Sequence, residues 1–73
     1  MNAKSRALKI SLAAARVNAN MTQLQAAQEM HISKSTIVSW EKGKTCPDIG
    51  QAKRLSDIYG IPMDSIFFAK TSR

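Results

Sequence analysis

Cysteine is almost missing from this sequence: Cys46 is the only one among 73 residues. A lone thiol excludes an internal disulfide and a cysteine metal cluster, and that usage suits a reducing cytosol. Long apolar runs are missing too. No stretch approaches the roughly 20 apolar residues that would span a bilayer. The opening Met1-Asn2-Ala3-Lys4-Ser5-Arg6 is basic, but no apolar run follows that would serve as a secretory signal, since Ala13-Ala14-Ala15 is interrupted at once by Arg16. Strand signals are equally scarce, with no alternating run of β-branched residues and no Asn-Gly or Asp-Gly hairpin turn. Internal repeats, low-complexity tracts and linkers are absent. Acidic residues are few, five against eleven Lys and Arg.

What is present points to one small folded domain. Apolar residues make up 44% of the chain, far above the share in a disordered one. A chain this short hides only roughly 60% of its unfolded surface, so its stability is expected to be modest. The formal charge of +6 favours polyanions, either nucleic acid or an anionic membrane surface. Which of these applies depends on where the charges fall on the helices.

Five short helical segments are expected. The first spans about 6–18, where Leu8, Leu12 and Ala15 make one apolar face and Asn20 suits a left-handed helix end. The second opens with Thr22 as N-cap and Gln25 completing a capping box, with Met21 and Ala26 at the staple positions. Ala26, Ala27 and Met30 form its buried face. Ser33 caps a third helix over about 34–42, with Ile32 and Ile37 as its staple, Ile37 and Trp40 inward, and Gly43 as its stop. Two caps eleven residues apart, joined by a very tight turn, are the sequence form of a helix-turn-helix. Asp48 caps a fourth helix whose Ile49, Ala52, Leu55 and Tyr59 repeat at helical spacing before Gly60, and Gly50 within it costs about 1 kcal/mol relative to Ala. Pro62 begins a short fifth segment in which Met63, Ile66 and Phe67 share a face.

The third helix carries the chemistry. Lys34, Ser35, Val38, Ser39 and Lys42 form one stripe opposite Ile37 and Trp40. A small polar stripe of this kind can enter a DNA major groove: Lys34 would donate to guanine O6 or N7, Ser35 and Ser39 donate or accept, and Val38 meets a thymine methyl. The alternative for each is an ordinary solvated helix face. The second helix offers a phosphate clamp at its N-terminus, through Thr22 and the amide of Gln23, because unpaired backbone N–H groups and partial positive charge gather there. Lys42, Lys44 and Thr45, at and just past the end of the third helix, would meet the duplex backbone and supply affinity rather than sequence reading.

No catalytic constellation accompanies these residues. His31 has no second His, Cys or carboxylate cluster beside it in the pattern, and Cys46 is a loop thiol without a paired His. No enzyme activity, metal, cofactor or small-molecule substrate is therefore expected.

The linked motifs resemble the phage and bacterial, Xre-like helix-turn-helix domains similar to lambda Cro and the lambda and 434 repressors. The stretch Thr22-Gln23-Leu24-Gln25-Ala26-Ala27-Gln28-Glu29-Met30 is similar to that family's second helix. Ile32-Ser33-Lys34-Ser35-Thr36-Ile37-Val38-Ser39-Trp40-Glu41-Lys42-Gly43-Lys44 is similar to its recognition helix and the Trp-Glu-x-Gly-Lys end, and Pro47-Asp48, Leu55, Gly60-Ile61, Asp64 and Ile66-Phe67 follow its closing pattern. The resemblance runs over about 8–68 without an obvious gap. Two positions depart: His31 stands where Gly is common in the turn, and Ala26 where Leu is usual.

The resemblance implies an all-α, compact five-helix, lambda-repressor-like DNA-binding domain over 6–69, with the helix-turn-helix formed by helices 2 and 3. A flexible basic arm at 1–5 and a tail at 70–73 would flank it. It also implies that Arg16 pairs with Glu41 and ties the reading helix to the scaffold, although Arg16 as a phosphate contact remains a second reading. By the same resemblance the chain is expected to be a sequence-specific regulator of transcription. It would be of the phage or prophage repressor type, cytoplasmic and nucleoid-associated in a bacterial cell, acting as a homodimer on double-stranded DNA with a (pseudo)palindromic operator. The alternative is an antitoxin- or antirepressor-like protein-interaction module on the same fold, for which Ile66-Phe67-Phe68 would supply the apolar surface. Membrane binding through the basic first helix is disfavoured, because that helix's apolar residues are needed for the core.

Overall fold

A computed structural model describes residues 9–68. In chain order these form β1 (Ile10–Ser11), α1 (Leu12–Asn18), α2 (Gln23–Met30), α3 (Lys34–Lys42), α4 (Ile49–Tyr59), a single 3-10 turn (Met63–Ser65) and β2 (Ile66–Phe67). Each α-helix starts on an extended residue whose side chain accepts a backbone N–H of the first turn: Ser11, Thr22, Ser33 and Asp48. Thr22 with Gln25 and Asp48 with Gln51 are complete capping boxes, in which the glutamine reaches back to the cap residue's own N–H. Such caps satisfy donors that no helical turn precedes, each contributing about 1 kcal/mol.

All four helices stop in the same way. Asn20, His31, Gly43 and Gly60 each adopt a positive φ, between 60° and 78°. The following N–H then turns back onto a carbonyl five residues earlier, from Met21 to Arg16 at 3.2 Å, Ile32 to Ala27 at 3.0 Å, Lys44 to Ser39 at 2.9 Å and Ile61 to Ser56 at 3.1 Å. This reverse bond is the Schellman closure, and it places an apolar residue (Met21, Ile32, Ile61) back against the core after three of the four helices. His31, at φ 60° and ψ 42°, keeps the tight turn between α2 and α3 without glycine, at a cost of about 1 kcal/mol.

The core is assembled from one face of each helix. Leu12 and Ala15 come from α1, Ala26, Ala27 and Met30 from α2, Ile37 and Trp40 from α3, Leu55 and Tyr59 from α4, and Ile66 from β2. Ala26 is fully buried, so the smaller side chain at that position sits among its neighbours rather than at the surface.

Two expectations about the ends of the domain are corrected. Helix α1 begins at Leu12, not near residue 6, because Ser11 is its N-cap and Ile10–Ser11 is extended. The expected fifth helix is one 3-10 turn followed by β2, which pairs in parallel with β1 in the register Ile10 to Ile66 and Ser11 to Phe67. The described residues therefore hold four α-helices and a two-residue strand pair, not five helices; the helical architecture around α2 and α3 stands. Strand geometry also separates residues expected on one face, with Ile66 1% exposed and Phe67 57% exposed, since successive side chains of a strand point to opposite sides. Ile49 is corrected as well. It is 77% exposed, because the first turn of α4 overhangs the core edge and Pro47, just before the cap, is the residue that is buried. The arm expected at 1–5 and the tail at 70–73 lie outside the described residues. Among the described residues, no helix is long and apolar enough to cross a membrane.

Candidate nucleic-acid interface

The geometry of α3 divides its side chains sharply. Ile37 and Trp40 are 1% and 6% exposed and anchor the helix to the core. On the other side Lys34, Ser35 and Lys42 are exposed, and Val38 and Ser39 are half-buried. The stripe expected from spacing is thus presented at the surface on one helix face. Lys44 and Thr45 are exposed immediately after it, and their backbone N–H groups are tied to the Ser39 carbonyl at 2.9 and 3.5 Å. That closure holds two cationic side chains, Lys42 and Lys44, beside the C-terminus of α3, where its free carbonyls favour positive charge.

At the opposite end of α3 three hydroxyls meet. Ser33 Oγ accepts the Thr36 N–H at 3.3 Å and lies 3.0 Å from both Ser35 Oγ and Thr36 Oγ1. At the start of α2, the capping box takes the N–H groups of Thr22 and Gln25. The N–H groups of Gln23 and Leu24 are the first-turn donors it leaves, and these are available to an anion.

Behind the outward face of α3, one ionic network joins α1, α2 and α3. Arg16 Nε donates to Glu41 Oε2 at 2.7 Å and Arg16 Nη2 to Glu41 Oε1 at 3.4 Å, a two-pronged pair. Arg16 Nη1 donates to the Met21 carbonyl at 2.9 Å, fixing the corner between α1 and α2. Gln23 Nε2 donates to Glu41 Oε1 at 3.0 Å. The side chains of Arg16 and Glu41 are only 14% and 8% exposed. Hydrogen bonding to Glu41 raises the Arg16 guanidinium above its ordinary pKa against an opposing desolvation, so the group stays charged throughout. Tyr59, on α4, is pushed up to about 12, chiefly by burial and then by the negative charge of Glu41.

This network changes how two residues can act. Gln23 is not a loose donor at the head of α2: one of its amide hydrogens is committed to Glu41. Arg16 is held by three hydrogen bonds within the protein. Sequence reading missed the link between Gln23 and Glu41, which are eighteen residues apart and share no helix. It also missed the Ser11 cap and the Asp48–Gln51 box, although Ser and the Asp-x-x-Gln spacing were there to be read.

Comparison with known proteins agrees with this geometry. A family model described as helix-turn-helix matches residues 12–66, from the start of α1 into β2. The chain belongs to the helix-turn-helix family. It is 33% identical over 48 residues to an uncharacterised HTH-type transcriptional regulator of Methanocaldococcus jannaschii, covering 66% of this chain and 73% of that protein. It is 31% identical over 51 residues to the HTH-type transcriptional activator BcrR of Enterococcus faecalis, covering 70% of this chain but only 25% of that relative's length. No solved structure matches significantly. The matched residues include α2, α3 and the tight turn between them.

Proposed function

We propose that this protein is a sequence-specific, double-stranded DNA-binding regulator of transcription that reads the major groove with α3. The carrying observation is the surface of that helix. Its small, polar and cationic residues stand outward while Ile37 and Trp40 lock the other side into the core. A rigid helix with such a face fits a groove about 12 Å wide. In this reading Lys34, Ser35, Val38 and Ser39 meet base edges, and Lys42, Lys44 and Thr45 meet the backbone. The N-terminus of α2, with Thr22 and the remaining amide hydrogen of Gln23, clamps a phosphate. Arg16 acts by holding Glu41 and the helix corner, so its contribution to DNA binding is through position.

Two relatives, one named as a transcriptional activator and one as a transcriptional regulator, support the reading of a regulator that binds DNA. The most direct regulatory consequence of a small domain seated in the groove is occlusion of the site, which makes a phage- or prophage-type repressor the preferred form. A homodimer on a (pseudo)palindromic operator would place half-sites about one helical turn, roughly 34 Å, apart.

The proposal is tested by titrating specific and random duplexes at several salt concentrations. Lys44→Ala should weaken binding to both and lower the salt slope by about 1. Ser39→Ala should change which sequence is preferred and leave random-duplex binding intact. Equal effects of both substitutions on specific and random DNA would contradict the assignment.

The protein-interaction alternative receives less support. Of the Ile66-Phe67-Phe68 surface, Ile66 is in the core and Phe68 is half-buried against it, which leaves Phe67. Among the described residues, the other exposed large apolar side chains, Val17, Leu24 and Ile49, each sit on a different helix.

A further inference from the structure

Glu41 Oε1 receives donors from two other helices, Arg16 Nη2 of α1 at 3.4 Å and Gln23 Nε2 of α2 at 3.0 Å. The two ends of a glutamine amide have nearly the same shape, so a free glutamine carries no fixed direction. Here the partner decides it. A carboxylate paired with a guanidinium at 2.7 Å is ionised and only accepts, so the Gln23 nitrogen and not its oxygen faces Glu41. That nitrogen has two hydrogens. One is committed to Glu41, and the other stays on an atom whose place is set from α3.

The anchor is firm and the tethered residue lies where an anion would arrive. The Glu41 side chain is 8% exposed and follows Trp40, which is packed in the core. Gln23 is half-buried and is the first residue of α2. The capping box uses the N–H groups of Thr22 and Gln25, so those of Gln23 and Leu24 remain on the same turn. Ordering a loose, rotamer-rich side chain on binding costs about twofold to tenfold in affinity. Gln23 is ordered before any ligand comes, whereas Gln28, exposed on the same helix, carries no such tether to Glu41.

We propose that Glu41 is a positioning residue for the phosphate contact at the head of α2, acting through the Gln23 amide. This inference rests on the reading that the N-terminus of α2 meets the DNA backbone. A phosphate is common to every sequence, so the tether governs affinity and register rather than base preference. Helix α3 then serves binding from both sides. Its outward residues meet the groove, and its inward Glu41 prepares a contact made by another helix.

The test is a mutant cycle read by binding of a random duplex at one fixed salt concentration. Each Kd is corrected for active protein by stoichiometric titration, so a loss of folded protein does not imitate the result. Gln23→Ala is made in the wild-type chain and in a chain carrying both Arg16→Met and Glu41→Leu, which removes the pair without stranding a charge. In the wild-type chain it should weaken binding roughly tenfold. In the second chain the glutamine is untethered, and the same change should cost about threefold or less. A loss there equal to or above the wild-type one would overturn the inference and leave the phosphate contact in place. No loss in the wild-type chain would overturn both. The unsubstituted protein gives a second readout, because ¹⁵N relaxation reports side-chain order. Without DNA, the Gln23 Nε2 group should be as ordered as the backbone of α2, and the Gln28 amide should be mobile. A Gln23 amide as mobile as that of Gln28 would overturn the inference whatever the variants show.

Discussion

The two sides of α3 use the same nine-residue helix in opposite ways. Its inner side, Ile37, Trp40 and Glu41, is fastened to three other helices by apolar packing and by hydrogen bonds that span α1 to α3. Its outer side, Lys34, Ser35, Val38 and Ser39, contributes nothing to the core: Lys34 and Ser35 are exposed, and Val38 and Ser39 are half-buried. The difference teaches where affinity and where integrity reside. An outer residue can change without disturbing the fold, and an inner one cannot change without moving the outer face. Glu41 belongs to the inner side but matters to both, since it holds Gln23 at the head of α2 as well as Arg16.

The largest effect is expected from breaking that tie. Glu41→Ala leaves the Arg16 guanidinium 14% exposed with no carboxylate, and frees the Gln23 amide. A loss of about 3 kcal/mol in unfolding free energy is expected, near the low end for a buried pair because water still reaches it. Urea unfolding measures it, and a loss below about 1 kcal/mol would show that the two sides are less unequal than described.

A second effect sharpens the comparison through pH. Tyr59 is raised to about 12 in the folded state by burial and by Glu41, against about 10 for an ordinary tyrosine. An acid raised on folding contributes stability that is complete below the ordinary value and lost as pH climbs through the folded one. The window is therefore about pH 10 to 12, and the loss is on the order of 2 kcal/mol. Tyr59→Phe should remove this part of the alkaline decline. Alkaline curves for wild type and variant that run parallel would show that Tyr59 does not sense the inner network.

The smallest effect concerns the turn that sets α3 against α2. His31 has the same left-handed backbone as Gly43 but carries a side chain, so His31→Gly should stabilise by about 1 kcal/mol while Gly43→Ala destabilises by a similar amount. Thermal unfolding of the two variants tests the sign. A destabilising His31→Gly would mean that the His31 side chain contributes more than its backbone costs.

Local chemistry explains what the sequence disclosed. The caps Thr22, Ser33 and Asp48, the stops at His31, Gly43 and Gly60, and the inward Ile37 and Trp40 all depend on residues within one or two turns of each other. The ends of the domain depend on distant ones. Ile10 pairs with Ile66, fifty-six positions away, in a strand pair too short to leave any alternation in the sequence. Leu8, Leu12 and Ala15 kept helical spacing across Ser11, which masked its role as cap. Ile49 kept helical spacing too, but spacing does not reveal where a core ends. At the site, the outward stripe was legible from period alone. The Gln23–Glu41 bond was not, because it is settled by the distance between side chains eighteen positions apart.

The central claim, that the outward side of α3 is the surface that meets DNA, is tested most directly by amide chemical-shift mapping. The ¹⁵N-labelled protein would be titrated with a duplex enriched from a random pool. Shifts should concentrate at Lys34, Ser35, Val38, Ser39, Lys42, Lys44 and Thr45 and at the start of α2, with Val17, Ile49 and Phe67 little changed. Saturable binding that moves the amides around Ile49 or Phe67 and leaves α3 unperturbed would contradict it.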